Sequence, residues 1–462
     1  MADAPPQWVV WPDCCQFALS LMKKIIALLL LCLCVAAPAM AALQIESWTL
    51  PNGARVLFVP NHSIPMLDVS VQFDAGQRRD PAGRAGLAEL TVASLTRGVA
   101  GGGRTLSEAQ ILDGFADVAA ERNIGAGQDR AGITLRTLSS DNERDTALTL
   151  LAGTLAHPSF PQAGLDRDKA LAISGIREEL TKPEEIAEKA FMLAIYGSHP
   201  YAIDATEASV QAITREDVVA FHRTHYVANR AVISMIGDIT RAQAERIALE
   251  LTQDLPQGAP LPALPEVAAP HGGEQRIAHP ASQAHILIGA PALKRGDPDF
   301  FALTVGNYIL GGGGFVSRLT NEVREKRGLT YSVYSGFSPL AQPGPFQIGL
   351  QTKKEQAAQA LQVVRATLGR FLEQGPTPAE MKAAKDNLAG GFALRIDSNA
   401  KLIENLSVIG FYNLPLDYLD RWIDQVKAVS VKDVRAAFAR HVQAAQLATV
   451  IVGDAETPVA GK

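Results

Sequence analysis

Two stretches of this chain repeat each other without a gap. "ITREDVVAFHRTHYVANRAVISMIGDIT", beginning at Ile213, aligns with "VSVKDVRAAFARHVQAAQLATVIVGDAE", beginning at Val429. Asp217-Val218 answers to Asp433-Val434, His225 to His441 and Gly237-Asp238 to Gly453-Asp454, each pair 216 positions apart (433 − 217, 441 − 225, 453 − 237). The run "ITLRTL" at Ile133 resembles "QIGLQT" at Gln347 at nearly the same offset. A period this long exceeds that of any solenoid repeat, so it means two copies of one domain. A chain of 462 residues is in any case too long for one ordinary core.

The segment "LPQGAPLPALPEVAAPHGGEQ", residues 255–275, separates the copies. Proline stiffens such a linker and the glycine pair adds a flexible point. The boundaries read as a first domain over 42–254 and a second over 276–462. In the first, "WTLPNGARVLFVP" gives two short β-runs around Pro51-Asn52-Gly53, a hairpin signal. "LDVSVQFDAG" alternates Leu67, Val69, Val71 and Phe73 with Asp68, Ser70, Gln72 and Asp74, which predicts a strand with one wet face. "ERDTALTLLAGTLAHP" and "EQAAQALQVVRATLGRFLEQG" have helical periodicity, and "AVISMIGD" and "LATVIVGD" read as closing strands. The expected fold is α+β: two tandem homologous domains, each a mostly antiparallel sheet with helices packed on one face.

The leader has its own logic. Met22-Lys23-Lys24 precedes "IIALLLLCLCVAAP" and then Ala39-Met40-Ala41. A basic start, an apolar stretch and an Ala-x-Ala site read as a secretory signal peptide over 22–41, cut after Ala41, within a leader 1–41. The periplasm is the expected compartment. All four cysteines (Cys14, Cys15, Cys32 and Cys34) fall in that leader. The mature chain then has no disulfide, no thiolate nucleophile and no cysteine metal ligand. A net charge of −5 gives no reason to expect a nucleic-acid partner.

Few residues announce chemistry. His222 and His225 share a helix face, but no supporting ligand stands nearby in sequence, and the second copy keeps only His441, with Phe438 in place of the other. They read as a polar helix end with one packed histidine, not as half of a four-ligand site. His199-Pro200-Tyr201 reads as a loop. In "NYILGGGGFVSRLTNEVREKRGLTYSVYSGF", four glycines, Gly311, Gly312, Gly313 and Gly314, follow an apolar helix. No Gly-Lys-Ser/Thr follows them, so this is not a P-loop. They read as a hinge or a place of close backbone approach to substrate. A turn at Gly328 can bring Arg324 and Tyr331 toward one point, where guanidinium and phenol donate to a carbonyl or oxyanion.

These segments and the duplication together resemble the pitrilysin/insulinase family of zinc peptidases, the inverzincins. "LPNGARVLFVPN", "AGQRRDPAGRAGLAELTVASLTRG", "HPYAIDATEASVQAITREDVVAFHRTHYVANRAVISMIGD", "LGGGGFVSRLTNEVREKRGLTYSVYSGFSP" and "DYLDRWIDQVKAVSVKDVRAAFARHV" follow the family's order over nearly the whole mature chain. The family's zinc motif, His-x-x-Glu-His after Gly-Leu-Ala, supplies two ligands and the general base. Here Gly86-Leu87-Ala88 stands, but Glu89, Val92 and Ala93 occupy the three functional positions. Glu178 and Glu179 fall near the family's third ligand and default to surface carboxylates. The family's second motif, an Arg and a Tyr seven apart, is matched by Arg324 and Tyr331.

The resemblance implies a secreted, zinc-free subunit whose Arg324 and Tyr331 contact the substrate carbonyl and transition state at a partner's site. That partner would be a homologous chain bearing the zinc motif, so zinc is expected there and no cofactor here. Unfolded peptides would pair with an exposed sheet edge. Three other readings remain: an inert scaffold, an independent enzyme with a different metal arrangement, and a module that captures peptides without cutting them.

Overall fold

In the computed structural model residues 44–453 are described; the leader, and with it the expected signal peptide, lies outside the described residues. The first half builds a six-stranded sheet from β1 (Glu46–Thr49), β2 (Arg55–Pro60), β3 (Met66–Phe73), β6 (Glu121–Ala126), β7 (Ala131–Leu138) and β8 (Val232–Gly237), in the order β1-β2-β8-β3-β7-β6. A small ribbon, β4 (Gly98–Gly101) and β5 (Arg104–Ser107), stands apart. The second half builds a five-stranded sheet from β9 (Gly273–Ile277), β10 (Gln283–Leu293), β11 (Val333–Phe337), β12 (Gly344–Lys353) and β13 (Ala448–Val452), in the order β11-β12-β10-β13-β9.

Read from opposite ends, the two orders are one topology. β2-β8-β3-β7-β6 corresponds to β9-β13-β10-β12-β11, and β1 is the addition. Each sheet has one parallel pair, β2 with β8 and β13 with β9, and is otherwise antiparallel. The runs "ITLRTL" and "QIGLQT" lie on the equivalent strands β7 and β12. The Pro51-Asn52-Gly53 hairpin joins β1 to β2, and the two helical periodicities form Asp141–Ala156 and Ala357–Gln374.

The wet face expected on β3 is dry. Leu67, Val69, Val71 and Phe73 enter the first-half core as the alternation predicts. Yet Asp68 is 2% exposed and Ser70 1%. They are covered by the helix Asn399–Phe411, which comes from the second half and packs on β3 and β8. The exchange is reciprocal: the first-half helix Pro183–Tyr196 packs on β10 and β13. There Phe191, Ala187 and Tyr196 join Leu287, Val450 and Val452 in a second core. Each sheet therefore carries its own helices on one face and a borrowed helix on the other.

Two glycines permit these approaches. A Cβ on Gly410 would lie 2.6 Å from a Val232 methyl and 2.8 Å from a Leu57 methyl. A Cβ on Gly289 would lie 1.9 Å from the Phe346 carbonyl oxygen and 2.8 Å from the Phe191 ring. The proline-rich connection is strapped down. Pro256 O accepts from Ala228 N at 2.9 Å, Pro262 O from Arg79 at 2.9 Å, and Pro265 O from the His199 ring at 3.0 Å.

Candidate functional site: an emptied helix and the groove beside it

The helix Leu87–Ser94 starts where Gly86 takes a left-handed conformation, φ 95°. A carboxylate from the preceding loop caps it: Asp80 accepts from Gly86 N at 2.7 Å and Ala88 N at 2.8 Å. Burial pushes Asp80 up to about 6, against the pull of those backbone N–H groups. The residues at the three motif positions part company. Glu89 lines a cavity of about 490 Å³, where partial desolvation raises its pKa. Val92 is 1% exposed and belongs to the first-half core. Ala93 offers no donor atom. A zinc site needs about four converging ligands, usually with nitrogen or sulfur among them. Among the described residues no three acid or histidine groups converge around Glu89, so this donor set does not fit zinc.

The structure separates the two downstream acids. Glu178 pairs with Lys182 at 2.7 Å on the surface. Glu179 lines the cavity and pairs with Lys189 at 2.8 Å. Asp204, Glu185 and Glu188 line it too, and burial raises Asp204 and Glu188. Glu185 and Glu188 sit on the exchanged helix Pro183–Tyr196 and also line a second cavity, of about 300 Å³, with His285, Ser332 and Tyr334. Gln347 of β12 donates to Glu188 at 3.2 Å. The two cavities thus share a wall, and the emptied helix opens toward the strand that follows Tyr331. Sequence reading missed Asp80, Glu185, Glu188 and Asp204, because only the helix exchange and the loop geometry bring them to this groove.

Arg324 lies in a widened helical turn, Thr320–Glu325, where a regular polar helix is expected. Its guanidinium sits 4.8 Å from the centre of the Phe315 ring and 3.5 Å from a Glu325 oxygen. Tyr331 is 85% exposed. No hydrogen bond joins the two among the described residues. Three glycines of the preceding run are packing residues: a Cβ would lie 2.5 Å from Ser335 N at Gly311, 2.6 Å from the Asn307 amide at Gly312 and 2.6 Å from Tyr308 O at Gly313. Only Gly314, at φ +60°, sits in open space with a left-handed backbone.

The histidines are structural. His222 is buried, stacks on Tyr226 and meets Leu155 O at 2.8 Å. His225 Nδ1 meets Asp74 O at 2.9 Å, and its counterpart His441 meets Ala292 O at the same distance. Both pin a helix end to the carbonyl near the end of the corresponding strand, β3 or β10. Asp297, Asp299 and His441 lie close enough to hold an ion. There Arg440 grips Asp299 at 2.6 Å and His441 meets it at 2.9 Å, while Asp297 accepts from Asp299 N. That arrangement is an ion-paired brace at the start of the helix Phe300–Asn307.

A duplicated α+β body, with a peptidase-type helix that carries Glu89, Val92 and Ala93 at the zinc-motif positions, defines a zinc-peptidase-like protein. Residues 212–388 match the family profile described as the peptidase M16 inactive domain. The crystal structure of a peptidase M16 inactive domain from Pseudomonas fluorescens is 38% identical, covers 90% of this chain and 99% of its own, and superposes with a TM-score of 0.85. A protein of Helicobacter pylori named a non-peptidase homolog is 27% identical over 441 residues, 94% of this chain and 99% of its own. An uncharacterized zinc protease of Mycobacterium tuberculosis is 27% identical over 431 residues, 89% of this chain and 94% of its own. The chain belongs to the peptidase M16 family.

Proposed function

We propose that this protein is the zinc-free subunit of a periplasmic heteromeric metallopeptidase. It would be exported by its signal peptide and would clasp a homologous chain carrying the intact zinc motif. Arg324 and Tyr331 would donate to the scissile carbonyl of an unfolded peptide and to the oxyanion that forms from it. One observation carries this reading: the fold leaves the pair uncommitted. Tyr331 is 85% exposed, and among the described residues the Arg324 guanidinium has only Phe315 and a 3.5 Å approach to Glu325. A pair retained for packing alone would be buried or bonded.

Co-expression with a zinc-motif homologue tests it. Arg324→Ala and Tyr331→Phe should each reduce peptide cleavage by the assembled pair at least about tenfold while leaving assembly intact. Unchanged cleavage would sink the reading and favour an inert scaffold or a peptide-binding protein of the same fold, as the name of the Helicobacter pylori relative suggests.

A further inference from the structure

A cavity of about 420 Å³ opens at the junction of the two halves, away from the emptied helix. Asp74, Arg78, Arg230 and Val232 line it from the first half, and Arg295, Ala341, Phe411 and Tyr412 from the second. Its charges are unbalanced. Asp74 is taken by Arg79 at 2.6 Å and Arg78 at 3.0 Å. Asp129, just behind, is taken by Arg78 at 2.7 Å and by the Tyr201 and Tyr412 hydroxyls. Arg230 is left with two backbone carbonyls, those of Ala259 and Thr224. The side chain of Arg295 lies 5.4 Å from the Tyr412 ring and has no carboxylate in ion-pair range among the described residues. Arg130 lies 5.9 Å from the Phe411 ring and feels the like charge of Arg295, with Asp129 and Glu404 as its more distant counter-charges.

None of Arg130, Arg230 and Arg295 has a carboxylate in ion-pair range among the described residues. Each of the three cavity arginines, Arg78, Arg230 and Arg295, has a buried Nε–H with no acceptor, and Arg130 has a buried Nη1 in the same state. Half-burying three guanidinium groups with no carboxylate in direct contact is unfavourable unless something compensates. Planar guanidinium forks match phosphate oxygens in pairs, which a lone carboxylate or a water does less well. The volume exceeds that of one orthophosphate and suits a chain of two or three phosphates.

We propose that this junction cavity binds a small polyphosphate-bearing molecule, gripped by Arg230 from one half and Arg295 from the other, with Arg130 behind them. The site is independent of the peptidase reading above. A ligand seated there also braces the two halves against each other.

Titration calorimetry of the full chain with sodium tripolyphosphate, at about 0.15 M salt to suppress loose surface binding, tests this. One site per chain is expected. Arg295→Gln and Arg130→Gln should each weaken it at least about tenfold. Arg167→Gln, at a guanidinium already paired with Glu108, should leave it unchanged. Should either junction variant fail to fold, hydrogen exchange on the unaltered protein decides: tripolyphosphate should slow exchange around Phe411-Tyr412 and Arg295. Absence of binding, equal weakening by Arg167→Gln, or unchanged exchange at the junction would overturn the proposal. Equal displacement by trialanine would reassign the site to peptide carboxylates and overturn the phosphate assignment.

Discussion

Tyr412 donates its hydroxyl to Asp129 at 2.7 Å, joining residues 283 positions apart in sequence. The same carboxylate accepts from Tyr201 at 2.6 Å, Arg78 at 2.7 Å and the Ala341 backbone at 2.8 Å. Asp129 is 3% exposed and Arg78 7%. One buried anion therefore ties two elements of each half. Tyr412→Phe should cost about 1.5–3 kcal/mol, the range of a hydrogen bond to a charged group. Asp129→Ala should cost about 3–5 kcal/mol, because it leaves the Arg78 charge buried beside Asp74 alone. Urea denaturation midpoints measure both. An Asp129→Ala loss no larger than that of Tyr412→Phe would show that the hub does not act as a unit.

The exchanged helices predict a contrast between two glycines of one sheet. Gly289→Ala places a methyl 1.9 Å from the Phe346 carbonyl oxygen and 2.8 Å from the Phe191 ring, so backbone of the neighbouring strand must shift. A loss of about 3 kcal/mol is expected. Gly336→Ala on β11 meets nothing within 4 Å. It should be neutral or slightly stabilising, since alanine restricts the unfolded chain. Thermal unfolding of the two variants side by side reads the difference.

The sequence made the duplication, the hairpin, the closing strands and the loss of the zinc motif legible, because each rests on local pattern. The exchange of helices was not legible. Asp68 and Ser70 alternate with apolar neighbours as on any solvent-facing strand, and nothing local says that Asn399–Phe411 will cover them. Arg136 meets Asp68 at 2.8 Å, which makes the buried polar face tolerable. Glu178 and Glu179 were indistinguishable for a related reason. Adjacent residues on a helix point about 100° apart, and only the position of Lys189 on the exchanged helix tells which one faces the groove.

His222 gives the stability of the first half an acid limit. Burial lowers its pKa to about 4 from the ordinary 6.5, and Leu155 O accepts from the ring. The unfolded chain takes up this proton between pH 6.5 and 4 while the folded chain does not, so stability falls as pH drops through that window. The full effect is at most about 3 kcal/mol. Asp80 works in the opposite sense: its raised value favours the folded state below about pH 4 and loses that effect as pH rises through about 6. The comparison must therefore be made on one background. His222→Phe, copying Phe438 of the second half, should be less stable than the parent at pH 7, where the Leu155 carbonyl loses its partner. The gap should narrow by pH 4.5. A constant gap across melting curves at pH 7, 6, 5 and 4.5 would refute the assignment.

The emptied helix has been repacked, and that yields a test of why it does not revert easily. Val92 is 1% exposed in a core with Leu87, Leu90 and Leu95. Val92→Glu restores the general-base residue type but puts a carboxyl where the walls are apolar. It should cost about 3 kcal/mol, from lost apolar packing and an unpaired polar group. Glu89→His and Ala93→His face more open surroundings and should each cost less than about 1 kcal/mol. The double variant Glu89→His/Ala93→His supplies two nitrogens, but Glu179 remains held by Lys189 at 2.8 Å. Its zinc affinity should rise on adding Lys189→Ala, which frees that carboxylate as a third ligand. Zinc titration of the double and triple variants checks this. Equal affinity in the two would show that Glu179 is not within reach of a metal on this helix.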